Sequence, residues 1–291
     1  MSPPRRPTPV QIRRRRRVAV IALALLAVGA VYLALAATVF APVDKDGATV
    51  ERLTIHSKAV HRDLGVAVVV PAKAPPRRER TLVVFLHGRG GSDETFTGNE
   101  AVYDGLAKLG RRAPVIAFPD GGDHSYWHDR DGGRWGRYVM REVIPTVVKR
   151  FGVDPRRVAI GGISMGGFGA YDLALLHPRR FCAVGGHSPA LWFDGGETAP
   201  GAFDDDADFE RNDVVGMVRG NPDAFAGMRV WNDFGDADPF RVYDEGFVGY
   251  LRSDGVDLSA HSSSGGHDNA YWDRHWAAYL RFYANSLAAC G

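Results

Sequence analysis

Short apolar runs recur along the chain from residue 81 onward, and longer amphipathic segments separate them. Each run is too short for a helix and ends close to a glycine, a histidine or a proline, which is typical of a buried strand. The predicted strands are residues 81–86, 114–118, 158–162, 181–186 and 229–234. Strands that alternate with helices predict an α/β fold, in which helices cover both faces of a mostly parallel central sheet.

Three segments have the spacing of helices. Residues 141–151 place their apolar side chains on one face, and Pro145 predicts that this helix either begins or kinks close to it. Residues 166–177 follow the third strand and stop at Pro178, and residues 270–287 form an aromatic-rich closing helix.

Two further segments predict the strands near the two edges of the sheet. Residues 50–70 contain two alternating stretches that predict an antiparallel start, and residues 257–263 alternate as an edge strand does. The polar residues 72–80, which include Pro75 and Pro76, predict a turn between strands.

The first 41 residues differ in composition from the rest of the chain. Residues 1–17 contain seven arginines and no acidic residue, and residues 18–41 carry no charge. At ~1.5 Å per residue, a helix over this apolar stretch spans about 36 Å, enough for a hydrocarbon core of ~30 Å. The positive-inside rule then predicts a single-pass anchor with a cytoplasmic N-terminus and an extracytoplasmic C-terminal domain.

A cleaved signal peptide is the alternative for this segment, because Ala34-Leu35-Ala36 has the small-x-small pattern of a cleavage site. The apolar stretch is longer than the ~7–15 residues typical of a signal peptide, which favours a retained anchor. The predicted organisation is a basic cytoplasmic tail (1–17), a transmembrane anchor (18–41), a linker (42–49) and a globular domain (50–291).

Charge argues against nucleic acid as a partner of the globular domain. Outside residues 1–17 the chain carries 29 lysines and arginines against 34 aspartates and glutamates, although the whole chain has a net charge of +2. An acidic domain is not typical of a nucleic-acid binder. The arginine run alone could serve as an RNA-binding tail, but its position directly before the apolar stretch favours the membrane interpretation.

The chain has two cysteines, Cys182 in an apolar run and Cys290 next to the C-terminus. Outside the cytoplasm they could form a disulfide. We favour the simpler interpretation of one buried and one terminal thiol, and the pairing is left open. No group of cysteines and histidines has zinc-ligand spacing, so no metal is expected.

The clearest chemical motif is Gly162-Ile163-Ser164-Met165-Gly166, which has the pattern G-x-S-x-G. It lies between a predicted buried strand and a glycine-rich helix start, which is the context that a nucleophile elbow requires. A serine N-cap would also fit this position, but the flanking elements favour Ser164 as a nucleophile.

A serine hydroxyl needs a base, and in this arrangement the acid and the histidine follow the serine in chain order. Asp236 and Asp238 both follow the fifth strand, and we favour Asp238 because the chain has room to turn back toward the histidine there. His267 lies in a glycine-containing loop before the last helix and is the predicted base; His261, within a strand, and His275, within a helix, fit less well.

An oxyanion hole needs two backbone N–H groups. One is expected from Met165, directly after the nucleophile, and the other from Arg89 in the glycine-rich loop after the first buried strand. A glycine-rich turn after a strand can also bind phosphate, but neither of the two common nucleotide-binding patterns is present, so no nucleotide cofactor is expected.

Two further features bear on substrate binding. Tyr126 and Trp127 are candidates for a pocket wall, with core packing as the alternative. The polar segment 192–228 favours a solvated insertion, with a substrate-selecting lid as the alternative.

The motifs taken together resemble the esterase D / antigen 85 group of α/β hydrolases. The resemblance covers roughly residues 50 to 290 and is carried by Leu86-His87-Gly88, Pro119-Asp120-Gly121-Gly122, Trp127, Gly162-Ile163-Ser164-Met165-Gly166-Gly167, Ser188-Pro189-Ala190-Leu191, Gly266-His267-Asp268 and Tyr271-Trp272. It implies an α/β-hydrolase fold and an acyl-serine intermediate, with carboxylic-ester hydrolysis or acyl transfer as the reaction and no cofactor.

Two departures favour the esterases within this group. The mycolyltransferase branch typically has an Asp-Gly-Leu strand end and a glutamate in the triad, whereas this chain has His87-Gly88-Arg89 and Asp238. Feruloyl or acetyl esterases fit an exported domain better than S-formylglutathione hydrolases, whose thioester is cytosolic. We therefore expect an extracytoplasmic serine esterase acting on a small-molecule or cell-envelope ester, with an antigen 85-type acyltransferase or a non-catalytic binding domain as alternatives.

Overall fold

The computed structural model describes residue 9, residues 22–23 and 25–32, and residues 43–290. The protein divides into two compact units, Met1–Val43 and Asp44–Gly291. All the strands described below belong to the second unit.

In the first unit, residues 22–23 and 25–32 are helical and most of their side chains are exposed. No helix in the described part of the chain combines the length and apolar character needed to cross a bilayer. Much of the predicted anchor (18–41), and nearly all of the basic tail (1–17), lies outside the described residues. The membrane topology therefore stays a prediction.

An eight-stranded sheet forms the centre of the second unit, with the strand order β1-β2-β4-β3-β7-β8-β9-β10. Its strands are β1 Thr49–Ser57, β2 Arg62–Val70, β3 Arg80–Leu86, β4 Val115–Pro119, β7 Val153–Ile163, β8 Ala183–His187, β9 Arg229–Gly235 and β10 Leu258–Ser263. A separate two-stranded ribbon consists of β5 Asp129–Arg130 and β6 Gly133–Arg134. The five predicted buried strands are confirmed; β7 begins five residues before the predicted start at residue 158, and the other ends shift by at most two residues.

The strands at both edges of the sheet agree with the predictions of an antiparallel start and a C-terminal edge strand. The strands from β4 to β10 in the sheet order run parallel, while β1 pairs antiparallel with β2 and β2 antiparallel with β4. β10 is an edge strand, as its alternating sequence predicts. Central strands such as β3 are almost completely buried, because a parallel sheet is covered on both faces.

The helices that cover the sheet are α1 Glu100–Leu109, α2 Ile144–Phe151, α3 Met165–Leu176, α4 Asp206–Arg211, α5 Val214–Val218, α6 Arg241–Ser253 and α7 Asn269–Ala289. A π-helical turn, Tyr138–Val143, leads into α2, and Pro145 occupies the first turn of that helix. The helical backbone is continuous from the π-helical turn into α2, and Pro145 has no N–H to donate. Near Pro145, where the sequence predicts a helix start or a kink, the hydrogen bonding changes from π-helical to α-helical.

The two cysteines form a disulfide, so the interpretation of two unpaired thiols is wrong. Cys182 directly precedes β8, and α7 runs back to the same edge of the sheet before it ends at Ala289. The Cα atoms of Cys182 and Cys290 consequently lie 5.7 Å apart, within the range that a disulfide spans.

The segment 192–228 is not simply a solvated insertion. It contains α4 and α5, and its apolar side chains Trp192, Val215 and Phe225 are buried in the main core. Asp208 is fully buried, and the hydrogen bond of 3.0 Å that its carboxylate accepts from Nε2 of His128 offsets the cost of this burial. Because the segment is rich in acidic residues, the sequence analysis did not identify these apolar residues as part of the core.

Candidate active site

Ser164 occupies a strained turn between β7 and α3. Its φ of 57° and ψ of −119° lie in a region that residues other than glycine rarely adopt. The Ser164 N–H donates to the carbonyl oxygen of His187, at the end of the neighbouring strand, at 3.0 Å. This geometry places the side chain above the carboxyl end of the sheet, as a nucleophile elbow does.

The glycines on either side of the serine are required by close backbone contacts. A Cβ atom at Gly162 would overlap the backbone of Gly166, and one at Gly166 would overlap the carbonyl group of Leu86. Because these neighbours are backbone atoms, they cannot rotate away as a flexible side chain could. The G-x-S-x-G spacing therefore follows from packing the turn against β3.

The predicted acid, base and nucleophile lie together in one hydrogen-bonded row. Nε2 of His267 is 2.8 Å from Oγ of Ser164, and its Nδ1 is 3.0 Å from Oδ2 of Asp238. The Asp238 carboxylate is completely buried, and the His267 ring keeps about a fifth of its surface exposed. This arrangement can transfer a proton from the serine hydroxyl to the imidazole.

The two candidate acids have different partners. Burial alone would raise the pKa of the Asp238 carboxyl, but its hydrogen bonds from His267 and from the Phe240 N–H hold the pKa below its ordinary value. Asp236 instead accepts a hydrogen bond from the Gly265 N–H at 3.0 Å and so braces the histidine loop. The structure therefore places Asp238, and not Asp236, at the imidazole.

Two aromatic side chains to which the sequence analysis assigned no role at the site enclose His267. The ring centroids of Phe240 and Trp272 lie 5.3 and 5.2 Å from that of His267. Nε1 of Trp272 donates to Oγ of Ser188, which lies at the end of β8. Aromatic residues next to a predicted acid and a predicted histidine are a signal that could have identified them.

The loop after β3 places a backbone N–H beside the serine. A Cβ at Gly88 would lie 3.3 Å from Cβ of Ser164, so the Gly88–Arg89 peptide passes directly next to the nucleophile. The Arg89 and Met165 N–H groups have no hydrogen-bond partner among the described residues. Both donors are thus available for a developing oxyanion.

His87 controls the orientation of that peptide, a role the sequence analysis missed. The Gly121 N–H donates to Nε2 of His87 at 2.9 Å, so the ring proton resides on Nδ1, which donates to the Gly88 carbonyl oxygen at 2.8 Å. In a trans peptide the carbonyl and the following N–H point in opposite directions. Fixing the Gly88 oxygen therefore aims the Arg89 N–H away from His87.

Tyr126 and Trp127 are both buried next to this loop. Trp127 is fully buried, and its Nε1 donates to the His87 carbonyl oxygen at 3.2 Å, so its side chain packs in the core. Tyr126 is 3% exposed. Burial raises the pKa of its hydroxyl, while the nearby Arg89 guanidinium opposes that change.

A second buried network lies beneath the triad, around Asp233 of β9. Its carboxylate accepts hydrogen bonds from His187, Trp231, Tyr271 and Tyr279, at 2.7–3.0 Å. Burial would raise the pKa of Asp233, but these donors, led by His187, hold it below its ordinary value. The network ties α7, and with it the loop of His267, to the sheet.

The described part of the chain contains no group of three or more histidine, cysteine or acidic side chains that could hold a metal ion.

Comparison with known proteins places residues 57–283 in a family described as "Putative esterase". The MPT51 antigen of Mycobacterium leprae is 29% identical over 171 residues, which cover 58% of this chain and 54% of that protein. The chain thus spans about half the length of that curated relative. An acetyl esterase from Caldicellulosiruptor saccharolyticus is 21% identical over 78% of this chain and 94% of its own length.

A solved structure of a ferulic acid esterase superposes with a TM-score of 0.72 at 23% identity. The match covers 83% of this chain and 98% of that chain. At this identity the likeness supports the fold.

Proposed function

Since the chain belongs to this esterase family, we propose that it cleaves carboxylic esters through an acyl-serine intermediate at Ser164. The observation that carries the proposal is the row of hydrogen bonds from Ser164 through His267 to Asp238. The acetyl esterase relative makes short acyl esters the first substrates to test.

The proposed reaction begins when Oγ of Ser164 attacks the ester carbonyl carbon and its proton passes to Nε2 of His267. The carbonyl π electrons move to oxygen, and the resulting oxyanion accepts hydrogen bonds from the Arg89 and Met165 N–H groups. Asp238 keeps the ring proton on Nδ1 and stabilises the imidazolium. The imidazolium then protonates the departing alcohol, which leaves the acyl group on the serine.

Water completes the proposed cycle by the same route. His267 takes a proton from water as the water oxygen attacks the acyl carbon, and it returns that proton to Oγ of Ser164 when the carboxylic acid leaves. An alcohol in place of water would give acyl transfer from the same intermediate. Measuring the ratio of acid to new ester with and without an added alcohol distinguishes the two outcomes.

A fluorophosphonate probe tests the nucleophile, since it reacts with an activated serine hydroxyl. The protein should carry one label, and Ser164→Ala should abolish both labelling and hydrolysis of a p-nitrophenyl ester. Ser264→Ala is the matched control, because this serine is exposed in the loop before His267 and its side chain forms no hydrogen bond in the described part of the chain. Undiminished labelling of Ser164→Ala would show that another residue is the nucleophile.

We propose further that residues 18–41 anchor the chain in a membrane with the esterase domain on the extracytoplasmic side. The arginine run before the apolar stretch supports this topology, and so does the disulfide, because disulfides persist outside the cytoplasm. Protease added to intact cells should degrade the domain, while the chain stays with the membranes at high salt. Release of a soluble chain that begins near Ala37 would show signal-peptide cleavage instead.

A further inference from the structure

Exposed basic side chains cluster at the edge of the sheet where the parallel strands begin. We name this surface the basic edge and define it by Arg77, Arg78, Arg111, Arg112, Lys149 and Arg156. The connections that lead into β3, β4 and β7 supply all of them except Arg156, which lies near the start of β7. Parallel strands begin at one edge, so the topology gathers these positive charges on one surface.

Two concave surfaces divide these side chains between them. Arg77, Arg78, Lys149 and Arg156 line one open cavity of about 540 Å³. Arg111 and Arg112 line a second cavity, of about 270 Å³, together with Arg157 and one carboxylate, Glu79. An open concave surface lined by arginines suits the phosphates of anionic headgroups, since the guanidinium group binds phosphate oxygens in pairs.

Most of this charge is not neutralised by carboxylates within the described residues. Arg77 donates to the backbone carbonyls of Lys149 and Arg150, which carry no net charge. Arg78 and Arg111 form no ion pair in the described part of the chain, whereas Arg156 pairs with Asp154 at 3.2 Å. The edge is thus positive although the domain as a whole has an excess of acidic residues.

The chain enters the domain at this same edge. Thr49, the first residue of β1, pairs with Val70 at the end of β2. β2 runs antiparallel to β4, and its Val69 pairs with Ile116 near the beginning of β4. The residues just before Thr49 therefore lie beside the starts of the parallel strands, whereas Ser164 follows the carboxyl end of β7.

We propose that the basic edge docks on the anionic phospholipid headgroups of the membrane that holds the N-terminal segment, with the Ser164 site facing away from the bilayer. The inference rests on the proposed membrane location and not on the proposed esterase chemistry. The attraction acts over about a Debye length, ~10 Å at 0.1 M salt, so only a surface tethered close to the bilayer experiences it.

The test uses the full-length chain in vesicles with a headgroup-attached quencher. Both native cysteines form the disulfide, so a fluorophore attaches selectively to one introduced cysteine, Pro76→Cys at the basic edge or His124→Cys at the opposite edge. In phosphatidylcholine vesicles with 30% phosphatidylglycerol, we expect at least twofold stronger quenching at position 76 than at 124. High salt should abolish this difference.

Charge reversal supplies the matched comparison. The double variant Arg78→Glu with Arg111→Glu should remove the preferential quenching at position 76, because it replaces two positive charges of the basic edge with negative ones. The fold should be retained, since both side chains are exposed and neither forms a hydrogen bond or an ion pair in the described part of the chain. The control double variant Arg134→Glu with Arg137→Glu makes the same change in charge at two exposed arginines outside the basic edge. It should retain the preferential quenching at position 76. Equal quenching at the two labelled positions in the anionic vesicles would overturn the proposal.

Two further measurements separate a failure of the docking proposal from a failure of the proposed membrane anchor or of the proposed esterase activity. Flotation with pure phosphatidylcholine vesicles reports insertion of the N-terminal segment, and ester hydrolysis reports the site. Charge reversal that lowers affinity for soluble polyphosphate and leaves vesicle quenching unchanged would assign the edge to a polyanion and overturn the membrane assignment.

Discussion

Nδ1 of His87 donates a hydrogen bond of 2.8 Å to the carbonyl oxygen of Gly88, and this bond sets the direction of the next peptide N–H. His87→Ala should let the Gly88–Arg89 peptide rotate and weaken one oxyanion donor. We expect kcat to fall by about 10²–10³, the cost typical of losing one such donor, while KM changes little. Steady-state kinetics on a p-nitrophenyl ester measure both constants.

An exposed histidine near the same loop provides the control for that experiment. His124→Ala should retain kcat within a factor of a few, because among the described residues its exposed ring hydrogen-bonds the neighbouring Asp123 carboxylate and no part of the triad. A His87→Ala protein that is folded by circular dichroism and has unchanged kcat would contradict the positioning role.

Replacing the two candidate acids separates their roles. Asp238→Asn should lower kcat/KM by about 10⁴, because the amide no longer holds the required imidazole tautomer or stabilises the imidazolium. Asp236→Asn should lower it by less than about tenfold, since its carboxylate contacts the Gly265 N–H and not the imidazole. A reversed order of the two losses would make Asp236 the acid.

Gly166→Ala tests the packing of the elbow. The new methyl group would overlap the Leu86 carbonyl, so we expect the free energy of unfolding to fall by about 3 kcal/mol or more. Gly98→Ala is the matched control, because a Cβ there meets no atom within 4 Å. Urea unfolding of both variants measures the difference, and equal losses would contradict the explanation.

Asp172 is buried in α3 without a hydrogen-bond partner for either carboxyl oxygen in the described residues. Burial raises its pKa well above the ordinary value, with Asp129 and Asp208 adding to the effect. The folded state therefore binds a proton that the unfolded state loses above about pH 4, so stability falls as pH rises beyond that point.

Asp172→Asn should consequently be more stable than the wild type at pH 7, and this advantage should disappear by about pH 4. Urea unfolding between pH 4 and pH 8 measures it, with Asp223→Asn, an exposed carboxylate, as the control for loss of charge. An advantage that does not vary with pH would argue against a proton taken up on folding.

The disulfide should stabilise the domain, because it closes a loop of 108 residues in the unfolded chain. Chain-entropy arguments give about 4–5 kcal/mol for a loop of this length. Dithiothreitol should therefore lower the urea midpoint of the wild type and leave the Cys182→Ala, Cys290→Ala double variant unaffected. If the urea midpoint of the wild type stayed the same after the disulfide was reduced, the disulfide would not stabilise the domain.

The order of strands and helices could be predicted from the sequence because periodicity is a local property. The runs before Gly88, Gly162 and Gly235 alternate with helical segments, and the G-x-S-x-G motif lies at one of these junctions. Ser164, Asp238 and His267 could be proposed for the same reason, since each follows a strand whose carboxyl end faces the site.

Tertiary structure alone decided which distant groups meet. The pairing of Cys182 with Cys290 depends on the path of α7 back across the sheet, and the burial of Asp208 depends on His128, 80 residues earlier. The bond from the Gly121 N–H that fixes the His87 tautomer joins two loops 34 residues apart. The sequence determined the elements and the chemistry that each carries; the sheet order determined the partners, because hydrogen bonds and burial depend on distances in space that local patterns do not encode.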